Sequence, residues 1–213
     1  MKNFVITIMD NPKSVESAER CIRSAAYHNL TVEMFPATTP KDNLELLCRK
    51  ENINPTRFVE RYSRTANAIA AFFSHYSLWK MCAQGDEEFT IFEHDAVMVD
   101  SIPDSLTYNQ CINLGKPSYG KYKTPSIGVG PLASKKYFPG AHAYRLKPSG
   151  ASALVNVAPF EAVPTDVYLM MDRFPFLEEY YPWPVEARDA FTTIQNETGC
   201  MAKHNYGENY EIL

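Results

Sequence analysis

FVITIMDNPKSVESAERCIRSAAYHNLTVEMFP, residues 4–36, is the stretch on which the fold turns. Its first six residues, Phe4 to Met9, form a short apolar run with β-branched members, the pattern of a buried strand. Asn11 followed by Pro12 suits a helix start, because proline lacks the N–H that a first turn leaves unbonded anyway. Val15, Ala18, Ile22, Ala25 and Ala26 then recur near helical spacing, with Lys13, Glu16, Glu19, Arg20 and Arg23 on other faces. Thr31 to Phe35 reads as a second strand and Pro36 to Pro40 as a loop. Strand, helix and strand in that order are the repeating unit of a parallel sheet, so the expected class is α/β.

Working outward, residues 42–52 read as helical, and Asn54-Pro55 breaks them. Ala66 to Cys82 is a long helix, with Ile69, Phe72, Phe73 and Tyr76 at helical spacing and Leu78, Trp79 and Met81 widening the apolar surface. Gly85-Asp86 closes it. EEFTIFEHDAVMVD, residues 87–100, follows, and Phe89 to Phe92 has the content of a core strand. Residues 115–140 hold five Gly and four Pro, the composition of a long functional or mobile loop. Ala141 to Leu146 is a further strand, Pro148 to about Val157 a helix, and residues 186–195 a short helix.

Composition narrows the classes. At 213 residues the chain suits one domain over 1–213, with the loop at about 115–140 as its mobile part. A net charge of −4 with no block of like charge argues against non-specific nucleic-acid binding. Five scattered cysteines without a CxxC pair exclude a zinc ribbon and read as reduced thiols of a cytoplasmic protein. No leader pattern opens the chain, and no apolar run is long enough to span a bilayer.

The chemistry gathers at Glu93-His94-Asp95. Were the strand to continue, Glu93 and Asp95 would share a face, because side chains alternate with period two. Two carboxylates at the carboxyl end of a sheet strand sit where open α/β sheets bind ligands. They repel unless a cation or proton intervenes, and Mn²⁺ or Mg²⁺ with a diphosphate would meet that need. The plainer alternative is a strand ending in solvent.

Several segments together resemble glycosyltransferase family 25, which includes lipooligosaccharide and collagen galactosyltransferases. They are Val5-Ile6-Thr7-Ile8, Phe35-Pro36-Ala37, the helix segment Ala71-Phe72-Phe73-Ser74-His75-Tyr76-Ser77-Leu78-Trp79, and Ile91-Phe92-Glu93-His94-Asp95-Ala96. Gly140-Ala141-His142-Ala143-Tyr144, Pro148-Ser149-Gly150-Ala151 and Pro164-Thr165-Asp166 complete the order. The resemblance implies a GT-A type fold, a Rossmann-like and mostly parallel sheet flanked by helices. It also implies a hexosyltransferase using a nucleotide-sugar donor, UDP-hexose, a saccharide or other hydroxyl acceptor, and Mn²⁺ or Mg²⁺. The family's acidic motif is usually Glu-Asp-Asp, and here His94 stands in the middle.

Roles follow from that resemblance, each beside a plainer one. Glu93 and Asp95 would bind the metal, with His204 completing the shell by analogy with other GT-A enzymes or else lying solvated. Asp166 would take the acceptor proton, or cap a helix starting at Val167. Thr7, Asp10, Ala37, Thr38, Ser74, His75 and His94 are donor-site candidates, against loop capping or core packing. His142 and Tyr144 alternate on one strand and would line the acceptor site or the pocket, against core packing for Tyr144. Tyr119, Lys121, Tyr122 and Lys123 belong to a lid or acceptor loop, or to an excursion without a role. Two other functions stay open: a nucleotide-sugar or glycan binding relative without turnover, and another metal-dependent nucleotide-phosphate enzyme.

Overall fold

The computed structural model describes residues 1–59 and 64–188. The expected opening is present as β1 (Lys2–Thr7), α1 (Pro12–Tyr27) and β2 (Glu33–Pro36). Asn11 caps α1 by accepting the Lys13 N–H at 3.1 Å, and Pro12 occupies the first turn. Asn29, at φ 60°, reverses the chain after the helix, and Leu30 N–H bonds Ala25 O at 2.9 Å.

The remaining elements are α2 (Leu44–Lys50), a 3-10 turn at Pro55–Phe58, α3 (Thr65–Gln84), β3 (Phe89–Glu93), β4 (Ala96–Met98), β5 (Cys111–Asn113) and β6 (Gly128–Pro131). Then come β7 (Ala143–Leu146), α4 (Pro148–Glu161), α5 (Thr165–Tyr168), β8 (Leu177–Tyr181) and β9 (Val185–Ala187). Seven strands form one sheet in the order β2-β1-β3-β7-β5-β8-β6, and β4 and β9 form a separate ribbon. Within the large sheet β1, β2, β3, β5 and β8 run one way, while β7 and β6 run the other. The α/β, Rossmann-like reading therefore holds.

Alternation along the strands builds two cores. Phe4, Ile6, Ile91, Cys111, Tyr144 and Leu146 face α3, α4 and α5, where they meet Phe72, Trp79, Leu154 and Tyr168. Val5, Phe92, Ile112 and Ala143 face the other way, against Ala18, Cys21 and Ala25 of α1. The small buried side chains of α1 let that helix lie close to the sheet. No helix among the described residues is long and apolar enough to cross a membrane.

Three expectations need correction. β3 ends at Glu93, and the chain turns at His94-Asp95 before entering the β4–β9 ribbon, so strand alternation does not govern Glu93 and Asp95. Residues 186 and 187, expected to open a helix over 186–195, belong to β9, held by pairing with β4, and 189–195 lie outside the described residues. The 115–140 segment carries β6, which pairs antiparallel with β8 from Gly128↔Tyr181 to Pro131↔Glu178. Composition argues against a strand there, and tertiary pairing supplies one.

Candidate active site

The carboxyl ends of β1, β2 and β3 lie side by side: Thr7 pairs with Pro36, and Ile6 with Glu93. Because β7 runs in reverse, its amino end reaches the same edge, and Glu93 N–H donates to His142 O at 2.9 Å. The sheet thus delivers Thr7, Ala37, Glu93 and His142 to one rim. Such a rim is where open α/β sheets bind ligands.

The loops above β1 and β2 are tied to each other and to α3. Ala37 N–H bonds Thr7 O at 2.8 Å, and Asp10 and Lys41 form an ion pair. That pair holds the Asp10 carboxyl below its usual range. Buried Ser74 accepts the Thr38 N–H at 3.0 Å, which pins the second loop to α3. Pro36, Ala37, Thr38, Asp42, Asn43, Leu46 and Leu47 line a depression of about 400 Å³ beside the rim. Thr7 is buried, with its hydroxyl donating to Val5 O at 3.0 Å, so its side chain serves the strand end.

At the centre, Glu93 projects toward α3. Its Oε1 lies 3.2 Å from His75 Nε2, and a quarter of its side chain stays open to solvent. His75 Nδ1 is 2.9 Å from the Tyr144 hydroxyl, which also accepts the Trp79 indole N–H at 2.7 Å. His75, Tyr144 and Trp79 are buried, so His75 and Tyr144 stand behind Glu93 rather than on an open wall. Burial pushes the Glu93 carboxyl up to about 7 and the His75 imidazole down to about 3. His94 turns to the α1 side, where its Nδ1 sits 3.3 Å from Ser14 Oγ.

Asp95, at the turn, acts by its charge on Cys21 and His142. Burial, followed by the Asp95 charge, pushes the Cys21 thiol of α1 up. Burial holds His142 below its ordinary value while Asp95 opposes that shift. Neither ring nitrogen of buried His142 has a hydrogen-bond partner among the described residues. Its ring is packed against Gly115, where a Cβ would fall 2.5 Å from Nε2.

Asp166 lies on α5, close enough for its charge to act on both His75 and Glu93. Tyr119 O–H donates to its Oδ2 at 2.5 Å, and Val167 N–H donates to Oδ1 at 2.9 Å. Burial raises its pKa, and those two donors oppose the rise. Lys135 Nζ braces Tyr119 from behind, donating to its carbonyl at 2.8 Å and lying 4.9 Å from the ring centre.

A profile described as glycosyltransferase family 25 (LPS biosynthesis protein) matches residues 1–129, more than half of the chain. The chain belongs to glycosyltransferase family 25. The matched part of this family 25 chain includes Glu93, His94 and Asp95 and stops short of His142, Tyr144 and Asp166. No curated protein sequence matches it significantly.

Two solved structures are loosely similar to it. One is a mutant Drosophila β-1,4-galactosyltransferase 7 in complex with manganese, UDP-Gal and xylobiose: 7% identity, TM-score 0.36, over 72% of this chain and 52% of that one. The other is the apo form of the glycosyltransferase GlyE of Streptococcus pneumoniae: 11% identity, TM-score 0.36, over 75% and 39%. At those scores neither bears on the chemistry here.

Among the described residues of the family 25 chain, no three His, Cys, Asp or Glu side chains are placed to share one ion. Glu93 and Asp95 offer hard oxygen donors, which suit Mn²⁺ or Mg²⁺ in kind, and the rest of a shell would need other donors. His204 lies outside the described residues. Sequence reasoning missed Lys135 and Ser14, because neither stands in a recognisable motif. It named Trp79 for its bulk without seeing the indole N–H as a hydrogen-bond donor.

Proposed function

We propose that this GT-A type enzyme moves a hexose, galactose or glucose, from a UDP-linked donor to a hydroxyl of a saccharide acceptor by a single inverting displacement. The observation that carries the reading is that half-buried Asp166 lies close enough to the acidic turn after β3 for its charge to act on Glu93. In this reading the two kinds of carboxylate chemistry flank the reacting sugar.

In this reading the donor's nucleoside end lies along the loops above β1 and β2, near Thr7, Asp10, Ala37 and Thr38, beside the depression already described. Glu93 and Asp95 are the carboxylates that would hold Mn²⁺ or Mg²⁺, with His204 a further candidate ligand. When bound, such an ion offsets diphosphate charge as the leaving group departs. Asp166 is the base on the acceptor side. The acceptor oxygen attacks the anomeric carbon, its proton passes to Asp166, and the bond to the diphosphate breaks with its electron pair leaving on UDP. Attack from the face opposite the leaving group inverts the anomeric centre. The raised pKa of Asp166 suits this role, since a base works best with a pKa near the working pH.

Segment 115–140 would close over the acceptor, with Tyr119 anchoring it to Asp166. The family's description as an LPS biosynthesis protein supports a saccharide acceptor. It also supports work in the cytoplasm, peripheral to a membrane. Calorimetric titration of UDP with and without Mn²⁺, into wild type and Asp95→Ala, tests the reading. Metal-dependent binding that the variant loses is the expected result. Binding indifferent to both metal and variant would overturn it.

A further inference from the structure

The hydrogen bonds behind Glu93 admit only one arrangement of protons. The Trp79 indole can only donate, so its bond of 2.7 Å makes the Tyr144 oxygen an acceptor. The phenol hydrogen then needs a partner in a fully buried place, and among the described residues that partner is His75 Nδ1 at 2.9 Å. Were Nδ1 to carry the hydrogen instead, two donors would crowd one phenol oxygen and the phenol hydrogen would be left unbonded, which a buried site penalises. Nδ1 therefore accepts, and the imidazole hydrogen sits on Nε2, which faces Glu93 Oε1 at 3.2 Å.

From this we infer that His75 is a positioning residue. Trp79 and Tyr144 lock it in the Nε2–H form, and its N–H holds Glu93 Oε1 so that Oε2 is left for the cation and diphosphate in the cleft. The ring is itself clamped: it lies 5.8 Å from the Tyr144 ring at an interplanar angle of 20°. A glutamate side chain on a strand end has three free torsions, and one fixed N–H removes most of that freedom before any ligand arrives. Partners of this sort typically affect metal affinity about 10- to 100-fold.

The inference rests on the proposed role of Glu93, and the experiment separates the two. Long-range ¹H–¹⁵N correlation spectra of the metal-free protein report which ring nitrogen of His75 carries the hydrogen. The Nε2–H form is expected in wild type, with that preference lost in Tyr144→Phe. An Nδ1–H form in wild type, or no change in Tyr144→Phe, would overturn the relay whatever the protein binds. Calorimetry with Mn²⁺ and UDP then reads the consequence. His75→Phe should weaken Mn²⁺-dependent UDP binding about 10- to 100-fold. His75→Gln, whose amide offers the same acceptor and donor, should recover much of it and serves as well if His75→Phe does not fold. Equal binding by wild type and both variants overturns the positioning role alone. No Mn²⁺-dependent binding by wild type overturns the reading of the site and this inference with it.

Discussion

As the proposed base, Asp166 would have to be ionised to collect a proton, and its surroundings pull both ways: burial disfavours the charge, while Tyr119 O–H and Val167 N–H favour it. Asp166→Asn should lower kcat about 10²- to 10⁴-fold with little change in donor KM. Tyr119→Phe removes one stabilising donor, so the pKa of Asp166 rises further and the acidic limb of the pH–rate profile moves to higher pH. Steady-state kinetics across pH check both, and an unmoved limb would separate Tyr119 from the base. The His75–Glu93 pair makes a second residue-scale prediction, for metal-free protein. Glu93 rises from 4.5 to about 7, so on its own it loses stability as pH increases through that range. His75 falls from 6.5 to about 3, so on its own it loses stability as pH decreases through its range. Between 4.5 and 6.5 the slopes cancel, because the folded pair and the unfolded pair each hold one proton. Denaturant unfolding of wild type against a His75→Gln/Glu93→Gln double variant should give a stability difference that is flat across that window. Below 4.5 it should fall by up to about 1.4 kcal/mol per pH unit. A slope inside the window would show that the two groups do not titrate as a pair.

Among the elements, those with a strong local signal were legible. β1, α1 and α3 announce themselves through apolar runs, helical spacing and a proline at the first turn. β8 does not: two of its five residues are the glutamates Glu178 and Glu179, a type seldom buried. Yet Glu179 is buried, its Oε1 accepting the Ala133 and Ser134 N–H groups at 2.6 and 2.7 Å. Those donors lie far along the chain, so nothing local reveals them. β5, three residues long, is held on both sides by β7 and β8, and no period can be read from so few positions. α4 carries a different dependence. A Cβ at Gly150 would sit 2.6 Å from the Gln110 carbonyl oxygen and 3.0 Å from its carbon, both backbone atoms that cannot step aside. Gly150→Ala adds helix propensity but forces α4 off the sheet, and we expect a net loss of about 1–3 kcal/mol in urea unfolding. A stabilised variant would mean that α4 shifts freely.

At the scale of the whole molecule, the site was half legible. The acidic turn stood out because charge interrupts an apolar stretch, whereas the pairing of Tyr119 with Asp166 spans 47 residues and belongs to the fold alone. The same-face reading of Glu93 and Asp95 failed for a topological reason: the chain leaves one sheet between them and enters another. That second sheet is finished late. Asp95 O accepts the Arg188 N–H at 3.0 Å, and Ala96 to Met98 pair with residues 185–187. These partners leave the ribosome after every strand of the large sheet. A nascent chain can thus assemble its sheet and the Glu93 side of the rim while the Asp95 turn still lacks its clasp. Competence for cation and nucleotide would then arrive with residues 185–188, which makes the ribbon a timing device of synthesis as much as a structural one.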